Sequence, residues 1–474
     1  MPLHDKAFWL LAWYLIGVAI ASATINFSHS LLVSAILSVF PALALISSKK
    51  ELAVLSLAAI VGVGHFELSD ALRETVLLPE NQIPFTAIIK KSEERGESQR
   101  LTVALNKPFS GKIRITAERF PKFSYGDIIE ISGNIETPTE ENQNYLRKDN
   151  LSATALFPEI SLIKNAEGFS IRRTLYNIKD WSDKIIKKTL PQEEAVFMSG
   201  ILLGETGSFK PELRDALSST GTSHLVALSG YNITIVAESV MIALGWFLKR
   251  KKAFAGGAIA ITLFVIMTGA EAATVRAGIM GLILLLANQS ERIYSFRNAI
   301  TISAAVMVII NPNILFWDIG FQLSFVAVLG LIYLRPVISK FLKFESDKGF
   351  LNWKENIATT LAAQIAVLPI LLNAFGSFSP VSILANMLVL SAIPLTMLFG
   401  VFVIFFGSIL SFLGFLFGFV AHFLLLYELT VIKTLSRFSI GIHIEHINII
   451  AVIFYYVIVL YAIRRSKIKS FRHI

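Results

Sequence analysis

Long apolar stretches occupy both ends of the chain and leave a polar region between them. A membrane-spanning helix needs about 20 mostly apolar residues. Stretches near this length lie at 8–27, 31–47 and 52–67, and then at 223–248, 253–269, 272–288, 297–311, 319–335, 357–373, 379–405, 409–432 and 446–463. This pattern predicts a polytopic α-helical membrane protein with about twelve spans, some short enough to be broken or re-entrant. The first stretch lacks a convincing small-residue cleavage site, so we expect a spanning helix rather than a removed signal peptide.

The polar region, from about residue 70 to 220, has the pattern of β structure followed by helices. Short β-branched runs broken by Gly, Pro and Asn predict strands in "PFTAIIKKSE", "QRLTVALN", "GKIRITAE", "YGDIIEISGNIE" and "LSATALFPEISLI". Five short strands within about 90 residues favour a small closed barrel, most economically an OB-fold, with another small sandwich or barrel as the alternative.

A basic amphipathic helix is predicted in "FSIRRTLYNIKDWSDKIIKKTL", because Ile171, Leu175 and Ile178 recur near helical spacing among Lys and Arg residues. Such helices usually lie on the membrane surface, and lining the entry route of a polyanion is the alternative.

Together these patterns predict five segments. They are N-terminal transmembrane helices at 1–68, an extracytoplasmic OB-like domain at 76–165, amphipathic and linking helices at 169–220, a larger transmembrane domain at 221–463 and a basic tail at 464–474.

Composition and charge support this organisation. The chain has 54% hydrophobic and 16% charged residues, whereas a soluble protein carries roughly a quarter charged residues. The net charge of +9 is concentrated in loops and at the C-terminus, as at Lys49-Lys50, residues 249–252 and residues 464–472. With a cytoplasmic N-terminus, all these clusters fall on the cytoplasmic side, which predicts a cytoplasmic C-terminus and an outer location for residues of about 70–220. The chain has no Cys, which excludes disulfides, thiolate metal sites and a cysteine nucleophile.

Two charged residues lie inside or beside one apolar stretch, in "MTGAEAATVRAGIMGLILLLA". Charges at membrane depth cost roughly 3 kcal/mol each and tend to be functional. Glu271 and Arg276 are five residues apart and so lie on different faces of a helix. Arg276 is therefore expected to meet a carbonyl, Asp318 or a phosphate instead.

Further hydrogen-bonding residues interrupt the apolar stretches, and Pro369, Pro380 and Pro394 are expected to break helices there. The polar positions are His224, Ser229, Gly230, Asn232, Asp318, Gln322, Ser324 and Asn386. Irregular backbone at membrane depth is tolerated only where it is buried in protein or lines a water-filled cavity. These residues therefore predict the walls of a hydrated passage.

One segment, "GILLGETGSFKPELRDALSSTGTSHLVALSGYNITI", resembles the signature of the ComEC family, the inner-membrane channel for DNA uptake in competent bacteria. The matching residues are Gly200, Gly204, Glu205, Thr220, Gly221, His224, Leu225, Ser229 and Gly230. Asn232 departs from the family, which usually has His there. The blocks "ATVRAGIM", "NPNILFWDIGFQLSFVA" and "FGSFSPVSILANML" also resemble the family, in the same order, as does the region of predicted strands.

The resemblance implies a channel that translocates single-stranded DNA across the bacterial cytoplasmic membrane during natural transformation. The polar positions above, with Arg276, would form its path. An outer OB-like domain would capture the strand by charge and base stacking. Its candidate residues are Lys90, Lys91, Arg100, Arg114, Lys122, Phe123 and Tyr125. The partners implied are single-stranded DNA, membrane lipid, a separate DNA receptor and a nuclease. A cytoplasmic ATP-driven motor is also expected, since the chain has no Walker-type phosphate loop.

Larger members of the family carry a C-terminal metallo-β-lactamase-like domain with a His-x-His-x-Asp-His zinc motif. "GIHIEHIN" contains His443, Glu445 and His446 but lacks that spacing. We therefore expect a short form with no metal, no cofactor and no enzymatic activity.

Two other classes of function fit parts of the pattern. An ion- or small-solute-coupled transporter would use Glu271, Arg276 and Asp318 as a relay. An intramembrane hydrolase would use Ser229 with His224, but no Asp or Glu lies nearby in an orienting position.

Overall fold

The computed structural model describes most of the chain in two compact units. The described residues are 3–24, 50–74, 77–79, 81, 83–137, 146–226, 228, 232–233, 235–236, 240–241, 244–245, 249–289, 295–344, 353–439, 441–444 and 447–471. One unit contains Met1–Asp180 and Val236–Asp318, and the other contains Trp181–Ile235 and Ile319–Ile474. The predicted span 31–47, half of the residues of 223–248, and the candidate residues Ser229 and Gly230 lie outside the described residues.

The first unit opens with two apolar helices, α1 (Leu3–Thr24) and α2 (Lys50–Glu74). Small residues let their backbones approach closely, as is common between membrane helices. A Cβ built on Gly17 would lie only 2.0 Å from the Ala59 carbonyl oxygen. Tyr14 Oη also lies 2.8 Å from His65 Nδ1, so a polar contact joins the same two helices.

Six strands follow: β1 (Phe85–Arg95), β2 (Ser98–Leu105), β3 (Lys112–Glu118), β4 (Ile128–Ser132), β5 (Ala153–Leu156) and β6 (Glu159–Lys164). The first four predicted strands are confirmed. The fifth prediction, "LSATALFPEISLI", was wrong in treating one run as a single strand. Phe157 adopts a positive φ of 46° and Pro158 has no N–H to donate, so the chain turns there and forms β5 and β6.

The strands form one curled sheet, a half-barrel, in the order β5-β3-β2-β1-β4-β6. Among the described strands, only β3 and β5 pair in parallel. Alternate residues such as Ile89, Leu101 and Ile115 are fully buried on the concave side, as the period of two residues in a strand requires. The backbone of Glu136, just after β4, also forms a bridge to Thr154 of β5, with N···O distances of 2.8 and 2.9 Å.

The predicted amphipathic helix is confirmed as α3 (Ile171–Thr189), which contains the boundary between the units. The second unit then has α4 (Gln192–Leu203), α5 (Pro211–Ser219) and α6 (Ser223–Val226). The chain returns to the first unit with α7 (Arg250–Met267), α8 (Ala272–Gln289), α9 (Phe296–Ile310) and α10 (Ile314–Trp317).

The rest of the second unit is mainly helical. Its elements are α11 (Ile319–Tyr333), α12 (Arg335–Phe341), α13 (Trp353–Phe375), β7 (Ser377–Phe378), α14 (Val381–Leu390), α15 (Ile393–Ile409), α16 (Ser411–Arg437), β8 (Ile442–His443) and α17 (Ile449–Phe471). Pro380 precedes α14 and Pro394 lies in the first turn of α15, where no helical N–H is needed. The expectation that Pro369 breaks a helix was wrong, because α13 continues through it.

Among the described residues, four helices are long and apolar enough to cross a membrane: Asp5–Thr24, Glu51–Leu72, Lys354–Phe375 and Ser411–Arg437. The number rises to six if each bent pair, α11 with α12 and α14 with α15, is one span; both pairs bend by 47°. The predicted count of about twelve is not confirmed. These lengths and this composition define an integral membrane protein.

Candidate functional site

The signature segment of the second unit is shaped by two glycines at the ends of helices. Gly204, after α4, has φ 71°, and Gly221, after α5, has φ 63°. Both angles lie in the left-handed region that favours glycine. Each glycine is also packed closely against another residue. A Cβ added to Gly204 would lie 2.7 Å from Leu228 Cδ1, and a Cβ added to Gly221 would lie 2.6 Å from Ser382 Cβ. Gly is therefore required at these positions by conformation and by space.

Polar side chains around Gly221 are buried and bonded to one another or to backbone. Thr220 and Thr222 are fully buried, and their hydroxyl oxygens lie 2.8 Å apart. Asn232, which is 1% exposed, donates from Nδ2 to the carbonyl of Ile201 at 3.1 Å. Of the polar positions predicted in this segment, Asn232 therefore lies inside the protein, where it is bonded to the end of α4.

His224 has a different environment. It is exposed, and its Nδ1 lies 3.1 Å from the Gly221 carbonyl oxygen. The hydrolase interpretation pairs this ring with Ser229, which lies outside the described residues, so that pairing stays a prediction.

A chain of hydrogen bonds joins the signature segment to the start of α14. Ser439 Oγ donates to the Ser219 carbonyl at 2.7 Å, and its hydroxyl oxygen lies 2.8 Å from Ser379 Oγ. Ser382 Oγ donates to the Ser379 carbonyl at 2.6 Å and accepts from Gln364 Nε2 at 2.8 Å. We call these residues, Ser219, Gln364, Ser379, Ser382 and Ser439, the serine cluster.

Three more predicted path residues lie in the same unit. Asn386 follows Ser382 by one turn of α14 and is 4% exposed, and its Oδ1 has no hydrogen-bond partner in the described part of the chain. Gln322 and Ser324 are half-buried on α11. The structure thus places Asn386 beside the serine cluster on one helix, and Gln322 and Ser324 on another.

Arg276 and Asp318 belong to the first unit. Arg276 is 8% exposed on α8, and its Nη1 lies 3.8 Å from Met280 Sδ. Asp318 is half-buried at the C-terminal end of α10. Glu271 lies outside the helix that carries Arg276, in the loop between α7 and α8, where Gly269 and Ala270 have φ of 89° and 54°.

This loop meets charged residues of the sheet. Lys91 Nζ lies 2.5 Å from Glu93 Oε1, and a Cβ on Gly269 would be 3.5 Å from Lys91 Cε. Loss of solvation raises the pKa of Glu271, and nearby Lys91 only partly offsets this effect. Burial alone would raise the pKa of Glu93, but the Lys91 ammonium holds it below its ordinary value. Burial alone would lower the pKa of Lys91, but the Glu93 carboxylate raises it above its ordinary value.

Most of the predicted DNA-binding cations of the sheet have carboxylate partners. Arg114 Nη2 lies 2.6 Å from Asp149 Oδ2, and Lys122 Nζ lies 2.5 Å from Glu94 Oε1. Arg100 faces Glu93 across the β1–β2 pair. Lys90 lies at the irregularity between Ile89 and Lys91 and is half-buried.

The two predicted stacking residues have different environments. Phe123 is 6% exposed and packs in the core of the sheet, so its ring is not offered at the surface. Tyr125 lines a cavity of about 260 Å³ together with Lys164 and Arg173. Its ring centroid lies 5.8 Å from that of Tyr176.

Sequence reasoning missed three carboxylates of the second unit. Glu194 Oε2 lies 2.6 Å from His422 Nδ1, Glu193 Oε1 lies 2.6 Å from Lys433 Nζ, and Glu428 Oε1 lies 2.6 Å from Thr396 Oγ1. The signal was present, because Glu428 is the one carboxylate in the apolar run "FLLLYELTVI".

Among the described residues, no group of three or more His, Asp and Glu side chains is arranged to hold a metal ion. His443 lies in β8, whereas Glu445 and His446 fall outside the described residues. The expectation of no metal stays a prediction.

Comparison with known proteins agrees with the signature. Residues 201–467, more than half of the chain, match the family model described as Competence protein. ComE operon protein 3 of Bacillus subtilis (strain 168) is 28% identical over 272 residues, which are 55% of this chain and 33% of that protein. The chain thus spans about a third of the length of this relative. No solved structure matches the chain. The chain belongs to the Competence protein family, and the resemblance to ComEC proteins is confirmed.

Proposed function

We propose that this chain forms a membrane channel that carries single-stranded DNA into the cytoplasm during natural transformation. The observation that carries the proposal is the serine cluster with Asn386, a set of hydrogen-bonding side chains gathered among apolar helices. Ser379, Ser382 and Asn386 are buried, and Ser379 and Asn386 lie at positions that match the family. Phosphates cannot cross hydrocarbon, so a polar path must replace their hydration. Such a path must also bind weakly at many sites for the strand to move. Hydroxyl and amide groups meet that need better than a wall of lysines.

The sheet is proposed to be an OB-like domain that guides the strand. The order β5-β3-β2-β1-β4, the parallel β3–β5 pair and the Glu136–Thr154 bridge support a five-stranded Greek-key barrel with β6 added at its edge. Tyr125 is the favoured stacking residue, because it is accessible from a cavity with cations on its wall. The candidate cations that are paired with Asp149, Glu93 and Glu94 contribute less, since a phosphate must compete with those carboxylates.

The proposed location is the bacterial cytoplasmic membrane, with both termini inside and residues of about 70–220 outside. The distribution of Lys and Arg supports this orientation. A separate DNA receptor, a nuclease and an ATP-driven motor complete the system, and the chain itself is proposed to have no catalytic activity or cofactor.

Complementation tests the proposal. The gene is expressed in a competent strain that lacks its own channel, and transformation frequency is measured beside protein level in the membrane. Wild type is expected to restore transformation, while Arg276→Ala and His224→Ala inserted at wild-type level are expected to lose it. Wild-type transformation by both variants would contradict the proposed path. Restoration of solute uptake without DNA uptake would favour a solute transporter.

A further inference from the structure

Glu428 is a carboxylate buried inside an apolar helix. It lies within α16, one of the helices long enough to span a membrane, and none of its surface is exposed. Its Oε1 lies 2.6 Å from Thr396 Oγ1 on α15, and Thr396 is also fully buried. Its Oε2 is buried and has no hydrogen-bond partner in the part of the chain that the structure describes.

The hydrogen bonds of Thr396 indicate whether the Glu428 carboxyl group is protonated. Thr396 Oγ1 contacts two acceptors, Glu428 Oε1 at 2.6 Å and the Ala392 carbonyl at 3.3 Å. A hydroxyl has one hydrogen and cannot donate to both. If Glu428 is protonated, its O–H donates to Thr396 Oγ1 and Thr396 donates to Ala392. An ionised Glu428 would have one hydrogen bond and a bare Oε2.

Among the described residues, the charged groups on the helices around Glu428 do not neutralise it. Of the described helices, α15, α14, α5 and α4 pack most closely against α16. Helices α14 and α15 have no ionisable side chain. Glu193 and Glu194 of α4 pair with Lys433 and His422 of α16, respectively. The other ionisable groups, Glu212, Arg214 and Asp215 of α5 and Arg437 of α16, are exposed, and Tyr427 donates to the Leu388 carbonyl.

We infer that Glu428 is a proton-binding site, occupied at neutral pH, in which the proton is held between Glu428 Oε1 and Thr396 Oγ1. An isolated ionised carboxylate is far more costly to bury than a neutral acid with its hydrogen bond made. Release would break the Oε1–H bond, pass the proton to water and turn the Thr396 hydroxyl from Ala392 toward the new carboxylate. Ala392 lies at the bend between α14 and α15, so release of the proton exchanges a hydrogen bond at this bend for one to Glu428.

Infrared difference spectroscopy of the full-length protein in lipid nanodiscs tests this inference without DNA. At neutral pH we expect a carbonyl band of a protonated carboxylic acid that is lost in Glu428→Gln. The band should move to higher frequency in Thr396→Val, which removes the acceptor, and stay in place in Thr396→Ser.

Glu193→Gln is the matched control, because its carboxylate is paired with Lys433. It should leave the band unchanged. If Glu428→Gln fails to fold, the shift in Thr396→Val decides alone. A spectrum in which neither variant alters an acid band would overturn the inference, and that outcome leaves the proposed DNA channel untouched.

Discussion

Gly221 of the signature segment lies so close to Ser382 of α14 that a methyl group on Gly221 would be 2.6 Å from the Ser382 Cβ. The same contact brings the segment to the serine cluster, where Ser382 accepts a hydrogen bond from Gln364. Gly221 therefore allows the signature segment to pack directly against α14. No single sequence motif reveals this contact, because its two residues belong to separate segments of the chain.

Gly221→Ala is expected to destabilise the chain and abolish transformation. Left-handed backbone at a non-glycine residue costs about 1–3 kcal/mol, and the clash adds a comparable amount. Thermal unfolding of the purified protein measures the change. When Gly221→Ala is combined with Ser382→Gly, the combined loss of stability should be smaller than the sum of the two separate losses, because the second change removes the clash but not the strain. Gly64→Ala, where a Cβ would meet open space, is the control and should cost nothing. Equal stability of Gly221→Ala and wild type would contradict this account.

In the region of the six-stranded sheet, Tyr125 is expected to act in DNA binding and Arg114 in folding. Tyr125→Ala is expected to weaken binding of single-stranded DNA by about 1–3 kcal/mol, the value of one base stack. Fluorescence anisotropy of a labelled oligonucleotide with the full-length protein measures this loss.

Phe120→Ala is the control for Tyr125→Ala, since Phe120 is 65% exposed but does not line the cavity. Arg114→Ala should lower stability more than affinity, because Arg114 holds Asp149. Unchanged affinity of Tyr125→Ala would remove Tyr125 from the DNA interface.

The Lys91–Glu93 pair predicts a pH dependence. Because the pKa of Glu93 is lowered in the folded state, its contribution is present above its ordinary value of 4.5 and is lost as the pH falls through the lower folded value. The pair is about a third exposed, so the effect is a few tenths to about 1 kcal/mol. The unfolding midpoint of Glu93→Gln should lie below that of wild type at neutral pH, and the two should converge in acid.

Glu97→Gln, at the exposed tip of the same hairpin, is the control for Glu93→Gln and should follow wild type throughout. A Glu93→Gln difference that persists unchanged in acid would show that the pair does not act through charge.

The Asn-Pro-Asn block at 311–313 is expected to hold residues 148–150 in place by hydrogen bonds rather than to line the DNA path. Asn311 Nδ2 donates to the Lys148 carbonyl at 2.7 Å, and Asn313 Nδ2 lies 3.4 Å from Asn150 Oδ1, within the same unit. Asn311→Ala should therefore speed hydrogen exchange in Leu146–Asn150, with a loss of about 1 kcal/mol. Asn298→Ala, whose buried Oδ1 has no partner in the described chain, should not. Unchanged hydrogen exchange of these residues in Asn311→Ala would exclude this structural role.

Local patterns were enough to predict the strands and the amphipathic helix. The runs "QRLTVALN" and "GKIRITAE" alternate cleanly because one face of a curled sheet is buried, and they became β2 and β3. Phe157 and Pro158 were missed because a two-residue turn inside an apolar run leaves the hydrophobic pattern intact. Pro369 was misjudged because membrane helices tolerate proline where neighbouring groups satisfy the freed backbone.

The site was harder to predict than the fold. The signature located Gly204, Gly221 and Asn232, but it did not show that Gly221 meets Ser382 or that Ser439 joins the same cluster. Those contacts join residues between 60 and 220 positions apart, which periodicity does not report. Phe123 was predicted as a stacking residue because composition does not distinguish a core ring from a surface ring.

Site-specific cross-linking tests the central claim most directly. The chain has no cysteine, so Gln322→Cys and Asn386→Cys each introduce the single thiol of the protein. Phe412→Cys, 77% exposed on α16, is the matched control. Competent cells that express each variant take up DNA carrying thiol-reactive groups on both strands. Covalent adducts are predicted at positions 322 and 386 but not at 412. Adducts equally frequent at 412, or absent at 322 and 386 in variants that transform normally, would contradict the account.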